Sequence, residues 1–175
     1  APGIHADPRV DKSIFRIHRD VRFSKDKSPY KTHLAIFLWE GDRPKMECPG
    51  FYVHLEPSKL MIGGGMYMFQ KDQLAEYRKS IDNDKLAGQL EKALVGNVGQ
   101  LCDATHMEPY KRVPKGYDPD HPRAELLKFK GVTVGKDEPV PKALHSAKFV
   151  DYAFKRFEKM AAMHKWLVAL NKRTG

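Results

Sequence analysis

The sequence predicts an α+β domain in which helices pack on an antiparallel meander and a long helix closes the chain. Between Leu34 and Phe69, short apolar or alternating runs are separated by Gly, Pro and Asp turns, the mark of successive antiparallel strands. After Leu74 the apolar spacing changes from two to three or four, the mark of amphipathic helices. Strands followed by helices, rather than regular alternation, point to α+β and away from a parallel α/β sheet.

The first strand is predicted over Ile14 to Phe23, with Phe15, Ile17, Val21 and Phe23 on one face and Arg16, His18, Asp20 and Arg22 on the other. Arg19 falls on the apolar side, where a guanidinium must be paired, must snorkel or must mark the strand's end. Ser24 to Pro29 reads as a polar connection. Leu34 to Trp39 is a continuous apolar run suited to a central strand, and Gly41, Asp42 and Pro44 then turn the chain. Pro49-Gly50 leads into Phe51–Glu56, where Phe51, Val53 and Leu55 oppose Tyr52, His54 and Glu56. Pro57-Ser58 leads into a further strand through Leu60 and Ile62 toward Phe69. Gly63, Gly64 and Gly65 interrupt it, implying a bulge or close approach by another backbone or a ligand.

Leu74, Tyr77 and Ile81 share a face of one predicted helix, and Leu86, Leu90 and Leu94 a face of the next. Asp120 is the expected N-cap of a short helix through Leu126 and Leu127, with Pro122 in its first turn. Val132 to Val134 reads as a strand. From Ser146 to about Leu170, the spacing of Phe149, Ala153, Phe157, Met160, His164 and Leu167 predicts a long helix against the sheet.

At 175 residues the chain fits one domain, 1–175, able to bury roughly 68–70% of its unfolded surface. A charged fraction of 30%, with no apolar stretch near the length of a spanning helix, argues against membrane residence, and the absence of a signal-like opening makes the cytoplasm the default. Cys48 and Cys102 are too few for a disulfide framework or a four-cysteine metal site and read as reduced structural thiols. A net charge of +9 makes polyanions plausible partners, although basicity alone reports solubility and non-specific attraction.

The densest charge lies in RIHRDVRFSKDKSPYK, Arg16 to Lys31, with three arginines, three lysines, one histidine and two aspartates. Arg16, Arg19, Arg22, Lys27 and Lys31 could clamp a phosphate or carboxylate, with Asp20 orienting an arginine and Tyr30 donating a hydrogen bond. The plainer reading is that Asp20 and Asp26 neutralise their neighbours on a solvated face. His54 and Glu56 share one face of a strand and could act as base and orienter or as two metal ligands; a solvent-facing pair is the commoner case, no third ligand stands at a fixed spacing, and no cofactor is expected. Gly63–Gly65 could present backbone N–H groups as an anion nest, but the run fits neither the P-loop nor the dinucleotide fingerprint. Arg112, Lys115, Tyr117 and His121, with Lys111, form a second basic and aromatic cluster on a turn-rich loop, where N–H groups at the Asp120 cap could add donors and His121 could exchange a proton.

RIHRDVRFSKDKSPYKTH, GFYVHLEPSKLMIGGGMY and KRVPKGYDPDHP with LLKFK resemble, in order and spacing, the uncharacterised bacterial and fungal family known as domain of unknown function 2461. The resemblance spans roughly Ser13 to Lys130. It implies an α+β domain without an agreed activity, and it groups the arginine run, the Gly-rich strand and the KGYDPDHP loop as motifs that should converge in space. It also implies a helical segment with a tryptophan-phenylalanine pair ahead of the first motif. Only about a dozen residues stand there, which reads as an N-terminally truncated domain whose sheet would be covered by self-association or a separated piece.

Three functional readings follow. The first is an Arg/Lys/His-lined pocket for a small anionic ligand, with acid-base or electrostatic catalysis by His54, Glu56, His121 and Asp20 if the protein is an enzyme. The second is a nucleic-acid-binding module, with the same cations on phosphates and Tyr30, Tyr52, Tyr67 or Tyr117 stacked on bases. The third is a non-catalytic structural or interaction domain whose charges satisfy one another. There is no GxSxG elbow or HExxH motif to support covalent or zinc-protease chemistry.

Overall fold

The computed structural model describes residues 3–95, 103–104 and 109–174. The chain runs β1 (Ile4–His5), β2 (Leu34–Glu40), β3 (Gly50–Leu55), β4 (Lys59–Met66), α1 (Lys71–Asp82), α2 (Asp84–Val95), β5 (Asp103–Ala104), α3 (Ala124–Leu127), β6 (Val132–Pro139) and α4 (Lys148–Lys172). The strands form one antiparallel sheet in the order β1-β2-β3-β4-β6-β5, in which the outermost two are only two residues long. The α+β class, the meander and the long C-terminal helix are as expected, and β6 extends five residues beyond the predicted Val134. Cys102 lies outside the described residues.

Alternation along each strand sorts the two faces. Phe51 and Val53 of β3, Leu60, Ile62 and Met66 of β4, and Val132 and Val134 of β6 are buried on one face beneath the helices. Met160, Met163, Leu167 and Leu170 of α4 meet them, with Tyr77 and Ile81 of α1 and Leu90 of α2 completing the core. Each such side chain contributes about 1.5–3 kcal/mol when fully buried, so this single face supplies most of the apolar stabilisation. Two polar groups of the core's aromatic residues find carbonyl partners: the Tyr77 hydroxyl donates to the Leu126 carbonyl at 3.0 Å, and the Trp166 indole N–H to the Leu86 carbonyl at 2.8 Å.

Gln73 ties three elements together. Its Oε1 accepts from the Gln70 amide at 2.8 Å, as in a capping box at the start of α1. Its Nε2 donates to the Glu47 carbonyl at 2.8 Å and to Asn171 Oδ1 near the end of α4 at 2.6 Å. Among the described residues no helix is long and apolar enough to cross a membrane.

Two sequence expectations are corrected. Ile14–Phe23 is not a strand: only Ile14 bridges β2, opposite Ile36, and His18 bridges Tyr30 within the same excursion. The cause is local competition for backbone donors, because Asp20 Oδ1 accepts from the Arg22 amide and Asp26 Oδ1 from the Ser28 amide, turns that a sheet ladder cannot contain. β2 is still paired on both sides, with β3 on one and with β1 and Ser13–Phe15 on the other, and its Leu34 remains exposed. Asp120 is also not a helix cap. The chain turns through His121 and Pro122 so that α3 starts only at Ala124, and the Arg123 amide donates to His121 Nδ1 at 2.9 Å.

The glycine run keeps the sheet in register without a bulge: Gly63, Gly64 and Gly65 pair with Tyr52, Phe51 and Gly50 on one side and with Gly135, Val134 and Thr133 on the other. Gly65 has φ +127°, and a Cβ there would lie 2.1 Å from the Val132 carbonyl oxygen. Gly65→Ala should therefore destabilise by at least about 2 kcal/mol, a fall in Tm of about 4–8 °C. Gly88, inside α2 with open space where a Cβ would stand, provides the contrast, and Gly88→Ala should stabilise by up to about 1 kcal/mol. Equal effects of the two substitutions in thermal denaturation would contradict this account of the strand.

Candidate functional site

The sheet face opposite the helices carries a groove of about 420 Å³. Its floor follows from alternation in β3, β4 and β6, which brings Gly50, Gly63 and Gly65 to this face, with Gly135 paired to Gly63. Phe37 leans over Gly50, where a Cβ would come within 2.5 Å of its ring. Phe15, Met46 and Cys48 line the groove with Phe37, and Met61, Tyr67 and Thr133 also border it. The lining is mostly apolar and aromatic, the composition expected for a small-molecule site with a few placed polar groups. Two other hollows, one between α2 and α4 and one beside Glu40–Arg43, are more open to solvent.

The polar groups stand at one end. Tyr52 and His54 both line the groove, and the Tyr52 hydroxyl lies 3.1 Å from His54 Nδ1 while His54 Nε2 lies 3.1 Å from Glu56 Oε1. An ionised carboxylate only accepts, so the Glu56 contact places the imidazole proton on Nε2, and Nδ1 of the neutral ring then accepts from Tyr52. The result is an oriented hydrogen-bonded chain from the groove wall to Glu56. His33 stacks on His54 with ring centroids 4.3 Å apart. Burial, with smaller contributions from the neighbouring His54 and Lys31 charges, lowers the pKa of His33 and favours its neutral form. Burial likewise raises the Tyr52 phenol and the Cys48 thiol, keeping both protonated at neutral pH.

Cations gather around Phe15. The ammonium of Lys45 stands 4.4 Å from the centre of its ring and donates to the Lys12 carbonyl at 2.6 Å, and that of Lys31 stands 6.0 Å from the ring centre. Burial lowers the pKa of Lys45, so its charge is partly desolvated. Phe15 in turn packs edge-on against Tyr52 at 6.1 Å, linking the lysines to the Tyr52–His54–Glu56 chain.

Two of the three arginines of the expected anion clamp pair with aspartates of the same run. Arg19 pairs with Asp26 and contacts Ser24 Oγ at 3.4 Å, while Arg22 makes two bonds to Asp20 at 2.9 and 2.6 Å. Asp20 is thus an exposed partner of Arg22 and does not line the groove. Lys27 donates to the Val21 carbonyl at 2.9 Å, Tyr30 packs on His18, and Arg16 is exposed. Gly63–Gly65 lies in the interior of the ladder, where its amides belong to strand pairing, so the run supplies shape to the groove rather than an N–H nest.

The KGYDPDHP loop does not join them. His121 Nε2 lies 3.3 Å from Asp82 Oδ1 and its Nδ1 accepts the Arg123 amide, while Arg123 pairs with Asp84 and Glu91; these contacts hold the loop to α1 and α2, on the helical side of the sheet. Tyr117 packs against the core there, and Arg112 and Lys115 are exposed. Of the three motifs expected to converge, the first approaches the groove of the glycine strand only through Phe15, just ahead of it, with Lys31 at its far end 6.0 Å from the Phe15 ring centre.

Sequence reading missed Phe37, Met46, Met61, His33 and Lys45. The alternation within β2 and β3 could have placed Phe37 with Tyr52 and His54, but nothing local marks the Lys45–Glu47 turn as part of a groove wall. Among the described residues no group of three or more potential metal-ligating side chains is present.

An antiparallel sheet with helices on one face and an open groove on the other defines a one-sided α+β domain. The chain belongs to the DUF2461 family of conserved hypothetical proteins, whose model matches residues 1–166 and so extends beyond the three motifs into α4. Comparison with curated proteins and with solved structures gives no match.

The paired aspartates titrate distinctively. Asp26 is held well below its ordinary 3.8, first by the Ser28 hydroxyl, then by the Ser28 amide and Arg19. A carboxylate depressed in the folded state stabilises that state fully above its unfolded pKa and loses this contribution as pH falls through the folded value. The order of the 19–28 loop should therefore persist at pH 4 and decline only in stronger acid. In a carboxyl NMR titration, Ser28→Ala and Arg19→Ala should each move Asp26 up toward 3.8; an ordinary titration in the unsubstituted protein would refute the pairing.

Proposed function

We propose that the open-face groove binds a small ligand with a flat apolar body and a carboxylate or phosphate head. The observation that carries the reading is the combination of a glycine floor, which leaves room for a flat group against the sheet, with Lys31 and Lys45 flanking Phe15 at the rim. The apolar body would lie across Gly63 and Gly65 between the Phe37 and Tyr67 sides, and the head would meet the lysine ammoniums, whose remaining donors suit oxygen anions. This keeps the expected small anionic ligand and moves its recognition from the arginines to these two lysines. Tyr52, His54 and Glu56 equip the same site for general acid-base chemistry: Tyr52 would exchange a proton with a ligand atom, and His54, oriented by Glu56, would take or return it.

The test is a thermal-shift and NMR titration with aromatic carboxylates, their neutral amides and inorganic phosphate. The methyl signals of Met46 and Met61, which line the groove, should move with the carboxylates. Lys45→Gln should weaken carboxylate binding about tenfold, the scale of one lost charge-assisted hydrogen bond, and leave the amides unaffected. If no aromatic carboxylate shifts either methyl group, or if Lys45→Gln weakens amides and carboxylates alike, the reading fails.

A further inference from the structure

Residues Ile17 to Lys31 form a pinched arm beside β2. The Arg19 amide donates to the Pro29 carbonyl at 2.9 Å and the Lys31 amide to the Ile17 carbonyl at 2.8 Å, bracketing the His18–Tyr30 bridge. Beyond this pinch, the Arg19–Asp26 pair spans the loop, and the Asp20–Arg22 pair and the Lys27–Val21 hydrogen bond brace its outer end. Both aspartates are consumed in this bracing. Arg16, Lys25 and Lys27 make no salt bridge among the described residues.

Phe23 sits at the outer end of the arm, and 94% of it is exposed. A phenylalanine this bare contributes nothing to the core, and the Arg22 guanidinium lies 5.8 Å from its ring centre. Tyr30, 54% exposed, packs on His18 with centroids 5.1 Å apart nearer the base. The arm thus presents aromatic surfaces at two levels, interleaved with unpaired cations, on a backbone braced by its own hydrogen bonds.

We infer that this arm is a binding surface for single-stranded nucleic acid. A partner that satisfies it must be a polyanion carrying flat apolar groups: phosphates answer the cations, and unstacked bases answer Phe23 and Tyr30. Duplex DNA offers the charge but hides its base faces. An anionic membrane is the poorer match, because Phe23 is flanked by Arg22, Ser24, Lys25 and Asp26, leaving one apolar side chain to enter lipid. The inference is independent of the groove, whose walls include neither Phe23 nor Tyr30.

The experiment is fluorescence anisotropy with a labelled mixed-sequence single strand of about 12 nucleotides, the matching duplex, and sedimentation with phosphatidylserine-containing vesicles, each across a salt series. The single strand should bind more tightly than the duplex. Phe23→Ala should weaken it by about five- to a hundredfold, the range for one base-stacking ring. Lys25→Gln should lower the slope of log affinity against log salt by about 0.7, as for one phosphate contact on a single strand. Circular dichroism of both variants should match the parent, since both positions are exposed. Failure of the single strand to bind at low salt would overturn the inference, as would equal duplex binding, insensitivity to Phe23→Ala, or association with vesicles alone.

Discussion

Gly50, Gly63, Gly65 and Gly135 place no side chains on the sheet face opposite the helices, and the asymmetry of the molecule follows from that gap. The strands stay in register across the glycines, so the gap is a property of one face rather than a break in the sheet. On the other face, Phe51, Leu60, Ile62 and Met66 bury themselves under α4 and α1. One residue of spacing separates the two environments, because successive strand side chains point to opposite faces. The groove, the lean of Phe37 over Gly50 and the exposure of Tyr52 and His54 to one common space depend on the same vacancy.

Position, more than number, governs the charge in this chain. Arg22 and Arg19 are spent on aspartates two and seven residues away, and surface pairs of this kind contribute little to stability. The effect of the Arg19–Asp26 and Arg22–Asp20 pairs is geometric: with the Asx turns at Asp20 and Asp26, they stop an alternating segment from continuing as a strand and hold it as a braced arm. Arg123 performs a comparable task on the helical side by joining Asp84 and Glu91. Lys45 differs, since it is partly desolvated against Phe15 and has donors left over.

Gln73 connects the two halves of the architecture. Fully buried, it caps α1 while reaching both the turn that carries Met46 and the end of α4. Asn171 continues the contact toward Cys48, which lines the groove. The helical layer is thereby joined to the groove wall through buried polar contacts, and the wall is positioned by the core rather than left as a free loop.

By itself the sequence determined the α+β class, the β2–β3–β4 meander, the three longer helices and the sharing of one strand face by Tyr52, His54 and Glu56. These features are periodic, and periodicity needs only neighbours in the chain. The tertiary structure decided the rest. Ile14–Phe23 alternates like a strand, but whether it becomes one depended on aspartates whose turns outcompete pairing at the β2 edge. Asp120 looks like a cap, but the cap is set by how the chain turns through Pro122. The groove joins residues from Phe15 to Val134, and the KGYDPDHP loop ends up on the opposite layer because His121 and Arg123 find carboxylates on α1 and α2. Such meetings are set by strand order and by which charges pair across long sequence separations, and neither is written in local spacing.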